Sequence, residues 1–101
     1  MTEKIENLIK TNKIILFMKG TPDSPQCGFS SKIIAIFNQY DALKFEHFNI
    51  FEDSELRETL KKYSNWPTYP QLYVEGKLVG GIDIVQELHD ENELGEALGL
   101  E

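Results

Sequence analysis

The sequence predicts an α/β fold in which a mixed four-stranded sheet is flanked by helices on both faces. Three observations carry this. The chain has 101 residues, the length of one domain. Short apolar runs of strand length alternate with stretches whose apolar residues recur at three- and four-residue steps, in the order α-β-α-β-α-β-β-α-α. The β-α-β portion demands a parallel strand pair with a right-handed crossover, and a later hairpin adds antiparallel strands.

Each element has its own signal. Ile5, Leu8 and Ile9 form the stripe of a first helix, with Thr2 as its N-cap. Ile14-Ile15-Leu16-Phe17-Met18 reads as a buried strand, short, continuous and apolar. Residues 19–26 are dense in breakers and read as a loop. From Cys27 onward, Phe29, Ile33, Ile36, Phe37 and Tyr40 recur at helical steps. Lys44–Ile50 reads as a second strand. Asp53 caps a third helix carrying Leu56, Leu60 and Tyr63 on one face, broken by Asn65-Trp66-Pro67. Gln71–Val74 and Lys77–Val79 form a hairpin turning at Glu75-Gly76 and ended by Gly80-Gly81. Asp83 with Gln86 three residues on has the pattern of a capping box, opening a helix with Ile84, Val85 and Leu88 inward. Leu94, Ala97 and Leu98 mark a last short helix.

Composition excludes several classes. Seventeen acidic residues against ten basic give a formal charge of −7, which argues against a nucleic-acid binder. A 41 % apolar and 27 % charged content describes an ordinary globule, not a disordered chain. No apolar run exceeds five residues, whereas a membrane span takes about 20. The start, Met1-Thr2-Glu3-Lys4, shows neither a signal nor a transit peptide, so the cytoplasm is the default expectation; a mitochondrial or plastid matrix fits if a transit peptide has been removed.

The single cysteine, Cys27, cannot form an intramolecular disulfide or a structural zinc site, which takes four ligands. His47 and His89 stand at no ligand spacing from it and read as incidental. Any metal bound through Cys27 needs ligands from outside the chain. Cys27 follows a breaker-rich loop and starts a helix, where unpaired amides and the helix dipole favour a thiolate; Lys19 adds a second positive influence. A buried structural cysteine is the alternative fate of a lone Cys.

The run Lys19-Gly20-Thr21-Pro22-Asp23-Ser24-Pro25-Gln26-Cys27-Gly28-Phe29-Ser30 closely resembles the active-site loop of monothiol glutaredoxins of the Cys-Gly-Phe-Ser class. Trp66-Pro67-Thr68-Tyr69-Pro70-Gln71 and Gly80-Gly81-Ile82-Asp83 match further blocks in the same order, so the resemblance spans essentially the whole chain. It implies a single thioredoxin-like (glutaredoxin) domain over residues 1–101 that binds glutathione. Lys19, Arg57 and Lys61 would hold the glycine carboxylate end of the tripeptide. Thr68 and the backbone of Tyr69, before a cis Pro70, would pair with its cysteinyl portion. Gly81, Ile82 and Asp83 would receive the γ-glutamyl end. Phe29 would shield the Cys27 thiol, and Trp66-Pro67 would wall the groove.

The residues themselves weigh on these roles. Arg57 and Lys61 share a helix face, and like charges there repel by about 0.2–0.5 kcal/mol unless an anion or acid neutralises them; Glu58 is adjacent to Arg57 but points elsewhere. A solvated helix face is the plain alternative. Asp83 as a pure N-cap is compatible with a ligand role. Tyr69 and Ile82 depart from the family pattern: Tyr69 stands where an aliphatic residue is common and should act through its backbone, and Ile82 leaves Cys27 the only thiol. The acidic residues Asp90, Glu91, Glu93 and Glu96 read as a solvated face.

Three functions compete. In the first, the chain is an iron–sulfur carrier: two subunits each give Cys27, and two glutathiones give the remaining thiolates, to a bridging 2Fe–2S cluster, so an apo monomer becomes a cluster-bridged homodimer. In the second it is a weak glutathione-dependent oxidoreductase acting through Cys27 alone, since Ser30 replaces any resolving thiol. The third is a non-catalytic docking module. The long Lys19–Cys27 loop and Trp66-Pro67 resemble the cluster-carrying class more than the efficiently reducing one, and this resemblance ranks the carrier first. The resemblance implies cluster scaffolds, acceptor apoproteins and BolA-type proteins as partners.

Overall fold

In the computed structural model, which describes all residues from Met1 to Glu101, the most apolar run of the chain lies at the centre. Strand β1 (Ile14–Met18) is buried along its whole length because helices cover both of its faces. The elements run α1 (Thr2–Thr11), β1, β2 (Gly20–Thr21), β3 (Ser24–Pro25), α2 (Gly28–Phe37), β4 (Glu46–Asn49), a 3-10 turn (Ile50–Glu52), α3 (Ser54–Ser64), β5 (Gln71–Val74), β6 (Lys77–Gly80), α4 (Ile82–Asp90) and α5 (Leu94–Ala97). The main sheet has the order β4-β1-β5-β6, with β1 and β4 parallel and the other pairs antiparallel. This is the mixed four-stranded sheet and the thioredoxin-like arrangement expected from the sequence.

Alternation along β1 builds two cores. Ile14, Leu16 and Met18 face α2, α4 and α5, packing with Ile33, Phe37, Leu72, Val85, Leu94 and Leu98. Ile15 and Phe17 face α1 and α3, packing with Ile5, Ile9, Ile50, Leu56, Leu60 and Tyr73. Truncating any fully buried leucine or isoleucine of these layers to alanine removes about 2–5 kcal/mol. The hairpin turns at Glu75-Gly76, both at positive φ (50° and 81°), the backbone a two-residue primed turn requires.

Several local expectations are corrected. Thr2 lies inside α1 and caps nothing; Met1 holds the N-cap position without a side-chain bond. Residues 19–26 are not a plain loop: β2 and β3 pair as a small antiparallel ribbon. Gly20 enables it, since at φ 92° an added Cβ would sit 2.5 Å from the Ser24 carbonyl oxygen. In α2 the buried stripe is Ser30, Ile33, Ile34, Ile36 and Phe37; Phe29 is 56 % exposed and Tyr40 follows the helix end. The second strand is shorter than Lys44–Ile50, because Ile50 turns into the 3-10 segment to reach the core. Tyr63 is 43 % exposed, outside the Leu56–Leu60 stripe. Gly80 belongs to β6.

Asp53 does cap α3, its Oδ1 accepting from the Leu56 amide at 2.9 Å, and Asn65 ends that helix at φ 53°. The capping box at Asp83 does not form: Gly81 holds the N-cap position of α4, Asp83 sits in its first turn, and Gln86 donates instead to Asp90. His89 is not incidental, since its Nδ1 lies 2.7 Å from the Tyr40 hydroxyl and ties α4 to the end of α2.

Charge is unevenly spread. Residues 78–101 carry Asp83, Glu87, Asp90, Glu91, Glu93, Glu96 and Glu101 with no Lys or Arg, so the formal −7 equals the charge of this arm, and the rest of the chain is balanced. Asp90, Glu91, Glu93 and Glu96 are exposed, as expected. No helix is long and apolar enough to cross a membrane.

Candidate functional site

The sheet register gathers most of the residues singled out in the sequence at one end. Met18 pairs with Asn49, Phe17 with Gln71, and Leu72 with Gly80. Lys19, Pro70 and Gly81 therefore follow or precede neighbouring strands at the same edge, beside the start of α2.

Cys27 is the N-cap residue of α2, in extended conformation (φ −154°, ψ 141°) and half-buried. The ribbon sets its position: the Gln26 amide donates to the Lys19 carbonyl at 2.9 Å, and the Lys19 amide donates to the buried Ser30 hydroxyl at 3.1 Å. Partial burial pushes the thiol pKa up, but the amides of Ser30 and Phe29, the Lys19 charge and the Ser30 hydroxyl outweigh it and leave the thiol below its ordinary value. The arrangement places one thiol of lowered pKa at a helix start, with no second thiol in the chain. Phe29 projects from the first turn of α2 into solvent. Asn49, which the sequence did not single out, anchors the ribbon: its Oδ1 accepts from Gly20 and Phe51 amides, each at 3.0 Å.

The Trp66–Pro70 segment forms the second wall. The Tyr69–Pro70 bond is cis, as the resemblance implied. Tyr69 is buried, and its amide makes no hydrogen bond within the chain. Its hydroxyl donates to the Arg57 carbonyl oxygen at 2.7 Å, a bond the sequence did not signal. Burial pushes the Tyr69 hydroxyl well above the ordinary tyrosine range. Thr68 is exposed, and its carbonyl accepts from the Gln71 side chain at 3.2 Å. Gly81 is required by close approach, because a Cβ there would lie 3.0 Å from the Pro70 carbonyl oxygen and 3.5 Å from the Trp66 indole nitrogen. Ile82 is half-buried; Asp83 is exposed, with no side-chain hydrogen bond, in a helix turn whose first amides are open.

On α3, Lys61 pairs with Glu58 at 3.1 Å, so Glu58 does not point elsewhere and partly neutralises that face. An open cavity of about 480 Å³ is lined by Glu58, Lys61, Lys62, Asn65, Trp66 and Pro67. The Arg57 guanidinium lies 5.5 Å from the Phe51 ring centroid, and its Nε is buried without a partner. A further cavity, at the opposite end of the sheet among Lys10, Asn12, Lys13, Glu75 and Gly76, contains none of these residues.

Comparison with known proteins agrees with this geometry. The family model described as glutaredoxin matches residues 14–79. The chain is 53 % identical over 96 residues to a Rickettsia felis protein named probable monothiol glutaredoxin 2, covering 95 % of this chain and 91 % of that one. It is 50 % identical over 91 residues to bovine glutaredoxin-3, covering 90 % of this chain but 27 % of that longer protein. The solution structure of reduced poplar apo GrxS14 superposes with a TM-score of 0.81 at 43 % identity, covering 97 % of this chain and 89 % of that one.

Proposed function

The chain belongs to the glutaredoxin family, and from that premise we infer that it binds glutathione and carries a 2Fe–2S cluster shared between two subunits, delivering it to acceptor proteins. The observation that carries this reading is the lone thiol: Cys27, half-buried at the start of α2 with its pKa lowered, is the one cysteine of the chain. A 2Fe–2S cluster takes four ligands, usually thiolates, so one chain leaves three to be supplied from outside. Two Cys27 side chains and two glutathione thiolates make up the set.

Glutathione would lie along the site edge. Arg57, Lys61 and Lys19 present positive charge for its glycine carboxylate. The free amide of Tyr69 would pair with its cysteinyl backbone, as an added strand does. The open amides of Gly81, Ile82 and Asp83 at the start of α4, with the Asp83 carboxylate, suit the zwitterionic γ-glutamyl end. Scaffold and acceptor proteins are the partners this role requires, and the family resemblance adds BolA-type proteins.

Anaerobic reconstitution with iron, sulfide and glutathione, followed by sizing with iron assayed in each fraction, tests the reading. A coloured dimer is expected from wild type, an apo monomer from Cys27→Ser, and weaker cluster retention from Arg57→Ala or Lys61→Ala. A cluster formed equally well without glutathione overturns it.

The lowered thiol pKa favours one further activity, slow reduction of protein–glutathione mixed disulfides. The Cys27 thiolate would attack the glutathione sulfur, form Cys27–S–S–glutathione and release the protein thiolate. A second glutathione thiolate then regenerates Cys27 and leaves as glutathione disulfide. Turnover in a glutathione-coupled assay measures it; rates equal to a dithiol glutaredoxin place it above the carrier role.

A further inference from the structure

Gln71 is fully buried on the face of β5 that packs toward α1 and α3, next to Phe17, to which it is register-paired. Burying a primary amide in an apolar layer is unfavourable unless both ends are satisfied. Here they are. Nε2 donates to the Trp66 carbonyl at 3.0 Å and to the Thr68 carbonyl at 3.2 Å, while Oε1 accepts from the Tyr73 hydroxyl at 3.0 Å. The two carbonyls flank Pro67, so a single side chain holds both ends of the turn that leads to Tyr69 and Pro70.

Besides the packing of the Tyr69 ring in the core, the segment has two other hydrogen-bonded anchors: the Trp66 amide, which donates to Lys61 O at 3.2 Å and Ser64 Oγ at 3.1 Å, and the Tyr69 hydroxyl on Arg57 O. Neither reaches Thr68. A backbone amide at Tyr69 can present itself to a ligand in one geometry only if the residues before it are held. We propose that Gln71 is the positioning residue of the ligand groove, its buried amide clamping Trp66 and Thr68 so that the Tyr69 amide and the Trp66 indole face glutathione in a preset arrangement. This rests on the glutathione reading above. It assigns Gln71 no contact with glutathione.

The test compares wild type with Gln71→Met, Gln71→Asn and Tyr73→Phe. Trp66 is the only tryptophan, so its emission reports the clamped segment directly. Gln71→Met removes both loop bonds, Gln71→Asn draws the amide back by one methylene, and Tyr73→Phe removes only the Oε1 partner. Reduced glutathione should bind both Gln71 variants about tenfold more weakly, as expected for two lost hydrogen bonds, with Trp66 emission more accessible to acrylamide. Tyr73→Phe, which lowers stability while leaving the clamp, should retain glutathione affinity within about twofold. The Cys27 titration midpoint should be unchanged in all three, since its determinants lie on α2 and the ribbon. If Gln71→Met does not fold, Gln71→Asn carries the same comparison. Wild-type affinity in either folded Gln71 variant, or an equal loss in Tyr73→Phe, overturns the proposal and leaves the glutathione reading intact. A wild type that binds no glutathione overturns both.

Discussion

The Tyr69 hydroxyl donates to the Arg57 carbonyl oxygen across 2.7 Å, joining the residue before the cis proline to the middle of α3. The bond spans the two walls of the groove, so the positive helix face and the backbone edge cannot move apart independently.

Tyr69→Phe should therefore affect both stability and affinity. A single neutral hydrogen bond contributes about 0.5–1.5 kcal/mol, which in a domain of this size lowers Tm by several degrees. Glutathione affinity should fall with it, because the α3 charges lose their link to the segment facing them. Calorimetry and a binding titration on the same preparation check both; unchanged affinity would leave the bond with a stabilising role only.

Alkaline pH should unfold the protein through its buried tyrosines. Burial pushes Tyr73 up to about 12 and Tyr69 higher still. With folded values raised above the unfolded value of about 10, the stabilisation is complete below pH 10 and is lost as pH rises toward 12. Urea midpoints should be flat from pH 7 to 9 and fall beyond 10, less steeply in Tyr73→Phe.

The Cys27 thiol should titrate below a free cysteine in absorbance near 240 nm. Lys19→Gln and Ser30→Ala should each move the midpoint up, removing a charge and a hydroxyl that favour the thiolate. The folded value is depressed, so this group's contribution to stability is present above the unfolded pKa and is lost as pH falls through the folded one. A midpoint unmoved in both variants would assign the shift to the helix amides alone.

Asp53 should show its effect at neutral pH and lose it in acid. Its carboxyl is lowered first by the Lys4 ammonium, 2.8 Å away, and then by the Leu56 amide. Asp53→Ala should lower Tm at pH 7, and the two proteins should converge as pH falls through the depressed Asp53 value. Parallel curves down to pH 2 would contradict this.

Gly81→Ala should weaken glutathione binding several-fold while preserving the secondary structure. The added methyl meets the Pro70 carbonyl oxygen at 3.0 Å, forcing a displacement of a few tenths of an ångström between β6 and the cis-proline segment. Isothermal titration alongside circular dichroism separates the two effects.

What the sequence revealed was local. β1 was legible to the residue because five apolar side chains in a row need cover on both faces, and Asp53 because a cap acts three residues ahead. The candidate-site residues Lys19, Cys27, Pro70 and Gly81 stood out as motif blocks, and the register brings their blocks to one edge. Long-range polar pairs were not. Tyr69 with Arg57 and Tyr40 with His89 are paired by tertiary placement, which no periodicity encodes. Gln71 sat at the head of a strand and gave no sign that its amide would be buried and fully bonded. The failed Asp83 cap has a like cause: Gly81 must approach Pro70 closely, and the helix begins directly after it.

The acidic arm of residues 78–101 gives the molecule a direction. The whole molecule measures 35 × 25 × 21 Å, several times the roughly 8 Å over which physiological salt screens a charge. A charge on the arm is thus felt only by what comes near the arm. Two copies drifting together are pushed apart when arm meets arm, and feel little when their neutral remainders face each other. Encounters of arm with arm are disfavoured before any contact forms, and that bias fades as salt is added.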